Sequence, residues 1–218
     1  CCSCCTLMKV VSTNIAESRT ILKNGKEVKT GIYKLPTDKG IFLGKTDVRH
    51  DAVIDRKFHG GEDKACYLYS ADHYPFWKAQ YPKLDWHLGM FGENLTVKGL
   101  DESKIRVGDT FEVGKAIIQV SEPRRPCSIL AIRFNDNGLV KKFMNTPYPG
   151  IYVRVLQQGL IKSNDCLKQL NTASESLTIN DIYSIFSENK SNFDLIKLAL
   201  REPYLSEDCK NSIRKRLK

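Results

Sequence analysis

The strongest constraint on this chain is how short its apolar runs are. Across roughly the first 165 residues they form segments of a few residues each: Met8–Ser12, Glu27–Lys34, Gly40–Leu43, Val48–Ile54, Ala65–Tyr69, Leu95–Val97, Thr110–Val113, Ala116–Ser121 and Ile151–Leu156. Most are β-branched or aromatic, and Gly, Asp, Asn or Pro bounds many of them, which is the signature of short strands. Asn24-Gly25 and Val113-Gly114-Lys115 are turn signals between such runs. Helical interruptions are few. One is predicted from Ser70 to about Gln80, opened by Ser70, Ala71 and Asp72 and closed by Pro82, and another over Leu139–Met144. Many short strands at this spacing predict a mainly β fold, a barrel or a sandwich. No run approaches the ~18 apolar residues of a membrane-spanning helix.

The tail has a different period. Thr178 with Asp181 forms a capping-box-like start, followed by Ile179, Ile182, Ile185 and Phe186. A second helix carries Phe193, Ile196 and Leu200 on one face. A third begins at Ser206-Glu207-Asp208 and places Cys209, Ile213 and Leu217 four apart. Its last turn holds Arg214, Lys215, Arg216 and Lys218, where cations favour the helix dipole. The expected organisation is residues 1–7 as a translation scar ahead of Met8, with a native metal-binding tip as the alternative, a β domain over 8–171, and a three-helix unit over 172–218. That unit is either a packing cap on the barrel or a docking surface.

The formal net charge is +9, and it is unevenly placed. Nearly all of the excess lies before residue 171, so the β part attracts anions. A phosphate-bearing ligand fits. Nucleic acid rests on charge alone, because no zinc finger, RNA-binding sheet motif or Arg-rich arm is present. Of the eight cysteines, Cys1, Cys2, Cys4 and Cys5 crowd the start, while Cys66, Cys127, Cys166 and Cys209 are scattered with no CxxC pair. Without a secretory signal pattern, the expected compartment is the cytoplasm, where thiols stay reduced.

Three clusters could carry chemistry. In Lys57-Phe58-His59-Gly60-Gly61-Glu62-Asp63-Lys64 two glycines let backbone N–H groups converge on an anion, with Arg56 and Lys57 adding charge. In Phe91-Gly92-Glu93-Asn94-Leu95, Glu93 is an acceptor and Asn94 both donor and acceptor. For both, the plain alternative is a tight turn before a strand. In Ser121-Glu122-Pro123-Arg124-Arg125-Pro126-Cys127, two arginines lie within three residues of a thiol. Nearby cations favour the thiolate, which is a soft metal ligand and a nucleophile. The plain alternative is a buried inert cysteine. That alternative suits Cys66, inside the apolar run Ala65-Cys66-Tyr67-Leu68-Tyr69.

Taken together, HDAVIDRKFHGGEDKACYLY, FGENLTVKGL and IRVGDTFEVGKAIIQVSEPRRPC resemble the MOSC domain family. That family is named for the C-terminal domain of molybdenum cofactor sulfurases. Within it the chain is most similar to the hydroxylaminopurine-resistance proteins, which carry a three-helix extension. The resemblance covers roughly Lys9 to Asn171, and Leu177 to Leu217 resembles the extension. His50 departs from the pattern, since a glycine is expected before Asp51.

The resemblance implies a MOSC-type β-barrel that binds the molybdenum cofactor, with Cys127 as the molybdenum ligand. By the same resemblance Lys57, His59, Gly60, Gly61 and Asn94 line the pocket. Arg124 and Arg125 are added on charge and closeness to the thiol. The implied reaction reduces N-hydroxylated bases and related compounds to amines, with His59 or Glu93 as a proton source. No nucleotide-binding GxGxxG and no cysteine set for an iron–sulfur cluster is present, so a separate electron-donating reductase is the expected partner. The oligomeric state stays open, a homodimer included. The competing reading makes Cys127 a persulfide carrier, or the chain a cofactor-binding module without reductase activity.

Overall fold

The computed structural model describes residues 8–54, 60–187 and 192–217. The described chain opens with β1 (Lys9–Ile15), followed by a ribbon of β2 (Arg19–Lys23) and β3 (Lys26–Thr30). Asn24 and Gly25 join the ribbon with φ of 52° and 76°. Positive φ at both central residues gives the turn whose twist matches two paired strands. Then come β4 (Leu35–Pro36), β5 (Ile41–Leu43), β6 (Cys66–Ser70), β7 (Leu95–Lys98), β8 (Thr110–Val113) and β9 (Ala116–Pro123). The last strands are β10 (Ile151–Gln157), β11 (Gly159–Ile161) and β12 (Leu167–Asn171).

Eight strands form one sheet in the order β12-β8-β9-β10-β6-β7-β1-β4. Its pairs are antiparallel except β6 with β7. The far ends of this sheet meet. Lys9 bridges Cys166, the Val10 N–H donates to the Asp165 carbonyl at 2.9 Å, and Leu167 N–H donates to the Met8 carbonyl at 2.9 Å. The sheet thus curls into the barrel that the strand pattern predicts, with β5 paired to β11 beside it.

Every residue of β6 is buried, because alternate side chains enter different cores. Cys66 and Leu68 join the barrel interior. Tyr67 and Tyr69 point to an aromatic layer with Tyr74, Trp77, Phe91, Phe134 and Phe143. That layer is covered by α1 (Tyr74–Gln80), α2 (Ser128–Arg133) and α3 (Leu139–Met144). The Ser70 hydroxyl accepts from the Asp72 N–H and starts the turn that leads into α1, as its position predicts.

The tail forms α4 (Ile179–Ser184), α5 (Phe193–Arg201) and α6 (Glu207–Arg214), and the Thr178–Asp181 capping box is present. Ile179, Ile182, Ile196 and Ile213 belong to the same apolar cluster as Val107, Phe111 and Val120 of the barrel. The join is close at Gly108, where a Cβ would stand 2.4 Å from the Tyr204 ring. Only glycine leaves room there.

Two predicted strands are shorter than expected. Over Val48–Ile54, only Val48 makes a bridge, to Leu43. His50 adopts φ 64°, outside the β region, and Asp51 turns its carboxylate to the Ala16 N–H. Over Glu27–Lys34, β3 stops at Thr30, whose hydroxyl accepts from the Ile32 N–H and closes a turn.

Candidate active site

β9 runs to Pro123 and pairs with β10 up to Ile151. Pro123 and Pro126 have no N–H to donate, so the chain leaves the sheet here and carries Arg124, Arg125 and Cys127 across its end. Cys127 is extended (φ −114°, ψ 165°) and immediately precedes α2. Its thiol is half-buried on the wall of a cavity of about 570 Å³. Cys66 and Cys209 are buried instead, and burial raises both thiol pKa values. Cys166 is exposed.

Cations dominate the cavity wall. Lys23, Lys29, Lys34, Lys64, Arg124, Arg125 and Lys215 face Asp51, Glu122 and Asp208. Arg124 is only 3% exposed. It lies over the Tyr67 ring at 5.3 Å and the Phe143 ring at 5.7 Å, and its Nε and Nη1 have no hydrogen-bond partner. Burial opposes its charge, yet Tyr67, Cys127, Tyr152 and Tyr183 around it raise its pKa. A buried guanidinium without an anion is costly in isolation. Here the two ring faces offset part of that cost. Arg125 stacks over Phe186 at 4.8 Å and reaches Asp208 at 3.7 Å.

The residues predicted for the site have distinct fates. Arg124, Arg125, Cys127 and Asn94 all line the cavity. The Asn94 amide is already engaged: Nδ2 donates to the Asn14 carbonyl at 3.3 Å and to Asp51 Oδ2 at 2.9 Å, and Oδ1 accepts from Tyr67 N–H at 3.3 Å. Asn94 thus ties β6, β7 and the 51–54 segment into one wall. Glu93 is no proton source. It is fully buried away from the cavity and accepts from Thr96 Oγ1 at 2.8 Å and from the Gly89 and Phe91 N–H groups at 2.9 and 3.0 Å. Its carboxylate is consumed in building the 89–94 turn. Lys57 and His59 lie outside the described residues. Gly60 and Gly61 are not on the cavity wall. Gly61 takes φ 95° to open the short helical turn Glu62–Lys64, and that turn delivers Lys64 to the wall.

Three lining residues have no counterpart among the predicted ones. Lys64 lies 2.5 Å from Asp208 and 3.4 Å from Glu122. Burial opposes its charge, but the two carboxylates outweigh burial and raise its pKa. Glu122 is 1% exposed and accepts a short hydrogen bond from the Ser206 hydroxyl. Burial pushes its carboxyl pKa up against the pull of Lys64, Ser206 and Arg125. Lys64 and Glu122 stand inside two of the predicted clusters, and this membership is the only sequence signal for them. Asp208 comes from α6, 144 residues from Lys64, and no local pattern could announce it.

The model of the MOSC domain matches residues 55–168. The chain belongs to the MOSC domain family. The uncharacterized protein YflK of Bacillus subtilis is 35% identical over 207 residues, covering 95% of this chain and 93% of that one. The crystal structure of YiiM from Geobacillus stearothermophilus superposes with a TM-score of 0.80 at 32% identity, covering 97% of this chain and 100% of that chain. These relatives agree with the hydroxylaminopurine-resistance subgroup. Because coverage is nearly complete, α4–α6 are part of the shared architecture. A Gibberella moniliformis protein named "Reductase" is 29% identical over 175 residues, covering 79% of this chain but 31% of that protein.

The wall of this MOSC domain fits a phosphate-bearing metal cofactor. The unpartnered Arg124 nitrogens suit an anion, and the Cys127 thiol supplies a soft donor. Among the described residues no group of three or more His, Cys, Asp and Glu side chains is placed to hold a metal. A metal here would rely on Cys127 and on donors that the cofactor brings.

Proposed function

We propose that this MOSC protein binds the molybdenum cofactor and reduces N-hydroxylated bases and related compounds to amines. One observation carries the reading: a half-buried cysteine thiol opens onto a cationic cavity beside a buried arginine whose Nε and Nη1 have no hydrogen-bond partner. The relative named a reductase supports the class of reaction.

In this reading the Cys127 thiolate is the protein's ligand to molybdenum, and Arg124 and Arg125 bind the cofactor's phosphate. Asn94 lines the cavity, and the family resemblance adds Lys57 and His59 to the binding set; Gly60 and Gly61, off the cavity wall, serve by setting the turn that delivers Lys64. The bound cofactor supplies the two-electron chemistry that breaks an N–O bond. Arg124 acts in a water-poor wall, where its charge interacts with an anion more strongly than at an exposed surface. Cleavage of the N–O bond takes two electrons and two protons and releases an amine and water. A separate reductase delivers the electrons.

The test is Cys127→Ser, made in a host that synthesises the cofactor. The parent protein should contain molybdenum and reduce N-hydroxylated bases, and the variant should lose both. Full activity in the variant would end this reading. A parent protein that carries a one-sulfur adduct on Cys127 and no molybdenum would favour the persulfide carrier instead.

A further inference from the structure

We infer that Lys64 joins Arg125 in a phosphate subsite on the α6 side of the cavity, and that Asp208 stands there as the counterion which the ligand's phosphate displaces. The inference rests on the proposed cofactor binding and deepens it. Its test reads phosphate alone and is separable from the metal assay.

The cavity wall carries more positive charge than it neutralises: among the described residues seven cations face three carboxylates. Two of those carboxylates are fixed. Asp51 is buried against Lys34 and accepts from the Asn94 amide, and Glu122 is buried and accepts from the Ser206 hydroxyl. Asp208 differs. Its side chain is half exposed and enters the cavity from the first turn of α6. Three cations converge on it. Lys64 Nζ lies 2.5 Å and Arg125 Nη2 3.7 Å from the same oxygen, Oδ2, and Lys215 adds its charge from the far end of α6. Burial works against the Asp208 carboxylate, but these cations outweigh burial and lower its pKa.

Lys64 and Arg125 have other supports that hold them in place. The Lys64 ammonium also stands 3.4 Å from Glu122, on the turn that Gly61 opens. The Arg125 guanidinium stacks over Phe186 at 4.8 Å. Asp208, by contrast, can swing out by rotation about its own side-chain bonds. Its carboxylate then regains water, and the N-terminal turn of α6 favours a negative charge in either position. An ion pair with one half-exposed partner is the exchangeable kind. A phosphate group brings more charge and several acceptor oxygens, so it can accept from Lys64 and Arg125 through separate oxygens where Asp208 offers them one.

Inorganic phosphate is the probe, titrated by calorimetry into the purified full chain near neutral pH and at low ionic strength. Asp208→Asn keeps the side-chain shape and removes the competing charge. It should bind phosphate about tenfold more tightly than the parent, the effect of one charge a few ångströms away. Glu207→Gln is the control. It removes the charge of the neighbouring residue, an exposed carboxylate that faces Lys210 and Arg214 and is not on the cavity wall. Its affinity should stay within about twofold of the parent, because solvent screens that charge. A general effect of net charge would make the two variants alike. A second measurement needs no variant: when phosphate saturates the parent, the NMR carboxyl resonance of Asp208 should shift as water replaces Lys64, while that of Asp136 stays. The inference is overturned if Asp208→Asn binds phosphate no more tightly than the parent, or if Glu207→Gln matches its gain. It is overturned equally if neither protein binds phosphate, or if the Asp208 resonance stays in place. Each of these results leaves the assignment of Cys127 untouched, because that is read from molybdenum content.

Discussion

The Arg124 guanidinium is buried over Tyr67 and Phe143 with two nitrogens unsatisfied. Replacing a buried charge with an apolar side chain of similar volume is often neutral or stabilising by about 1–4 kcal/mol. Arg124→Met should therefore raise the unfolding free energy by about 1 kcal/mol while weakening the binding of inorganic phosphate. Denaturant melts and a phosphate titration check the two halves, and a less stable variant with full phosphate affinity would contradict both. His50 is the second informative residue. It holds φ 64°, a region that costs an L-residue roughly 1–2 kcal/mol and glycine little. His50→Gly should stabilise by about 0.5–1 kcal/mol, and His50→Val should destabilise by more than about 1 kcal/mol, in urea unfolding. This is also where the sequence departs from the family's pattern, so the expected glycine has a backbone reason. Cys127, Arg124 and Arg125 were legible because charge and thiol sit within a few residues. Glu93 was misjudged because FGEN shows which groups are present but not that three neighbours consume the carboxylate.

Among the elements, α3 depends on the turn before it. Asp136 accepts from the Gly138 N–H at 2.7 Å, from Tyr81 Oη at 2.6 Å and from Lys142 Nζ at 2.8 Å, joining the end of α1 to α3. Lys142, then Tyr81 and Gly138, hold its carboxyl down to about 2. That lies below the ordinary carboxylate value of about 3.9. The stabilisation is therefore complete above pH ~4 and is lost as pH falls toward ~2. An NMR titration of the Asp136 carboxyl should give a midpoint near 2, and a midpoint near 4 would contradict it. Helices α1 and α3 and the tail helices were readable from caps and apolar spacing. Strands β2 and β12 were not, because Arg19–Lys23 and Leu167–Asn171 are mostly exposed and show no apolar alternation. α2 was missed as well, since six residues after a proline-rich stretch carry too little period.

At the scale of the molecule, the three-helix tail closes both the core and the site. Burial of Ile179, Ile182, Ile196 and Ile213 at about 2 kcal/mol each is comparable with the net stability of a domain, about 5–15 kcal/mol. Deleting residues 172–218 should therefore give an aggregating chain that binds hydrophobic dyes. A soluble barrel with an unchanged melting temperature would show that the tail is dispensable. The sequence showed three helices here but not which surface they cover, because the Lys64–Asp208 contact spans 144 residues. The molybdenum content of the parent and Cys127→Ser proteins, purified side by side from a cofactor-producing host, tests the assignment most directly. A Cys127 ligand requires metal in the parent and none in the variant; equal metal in both, with equal reductase activity, rules it out.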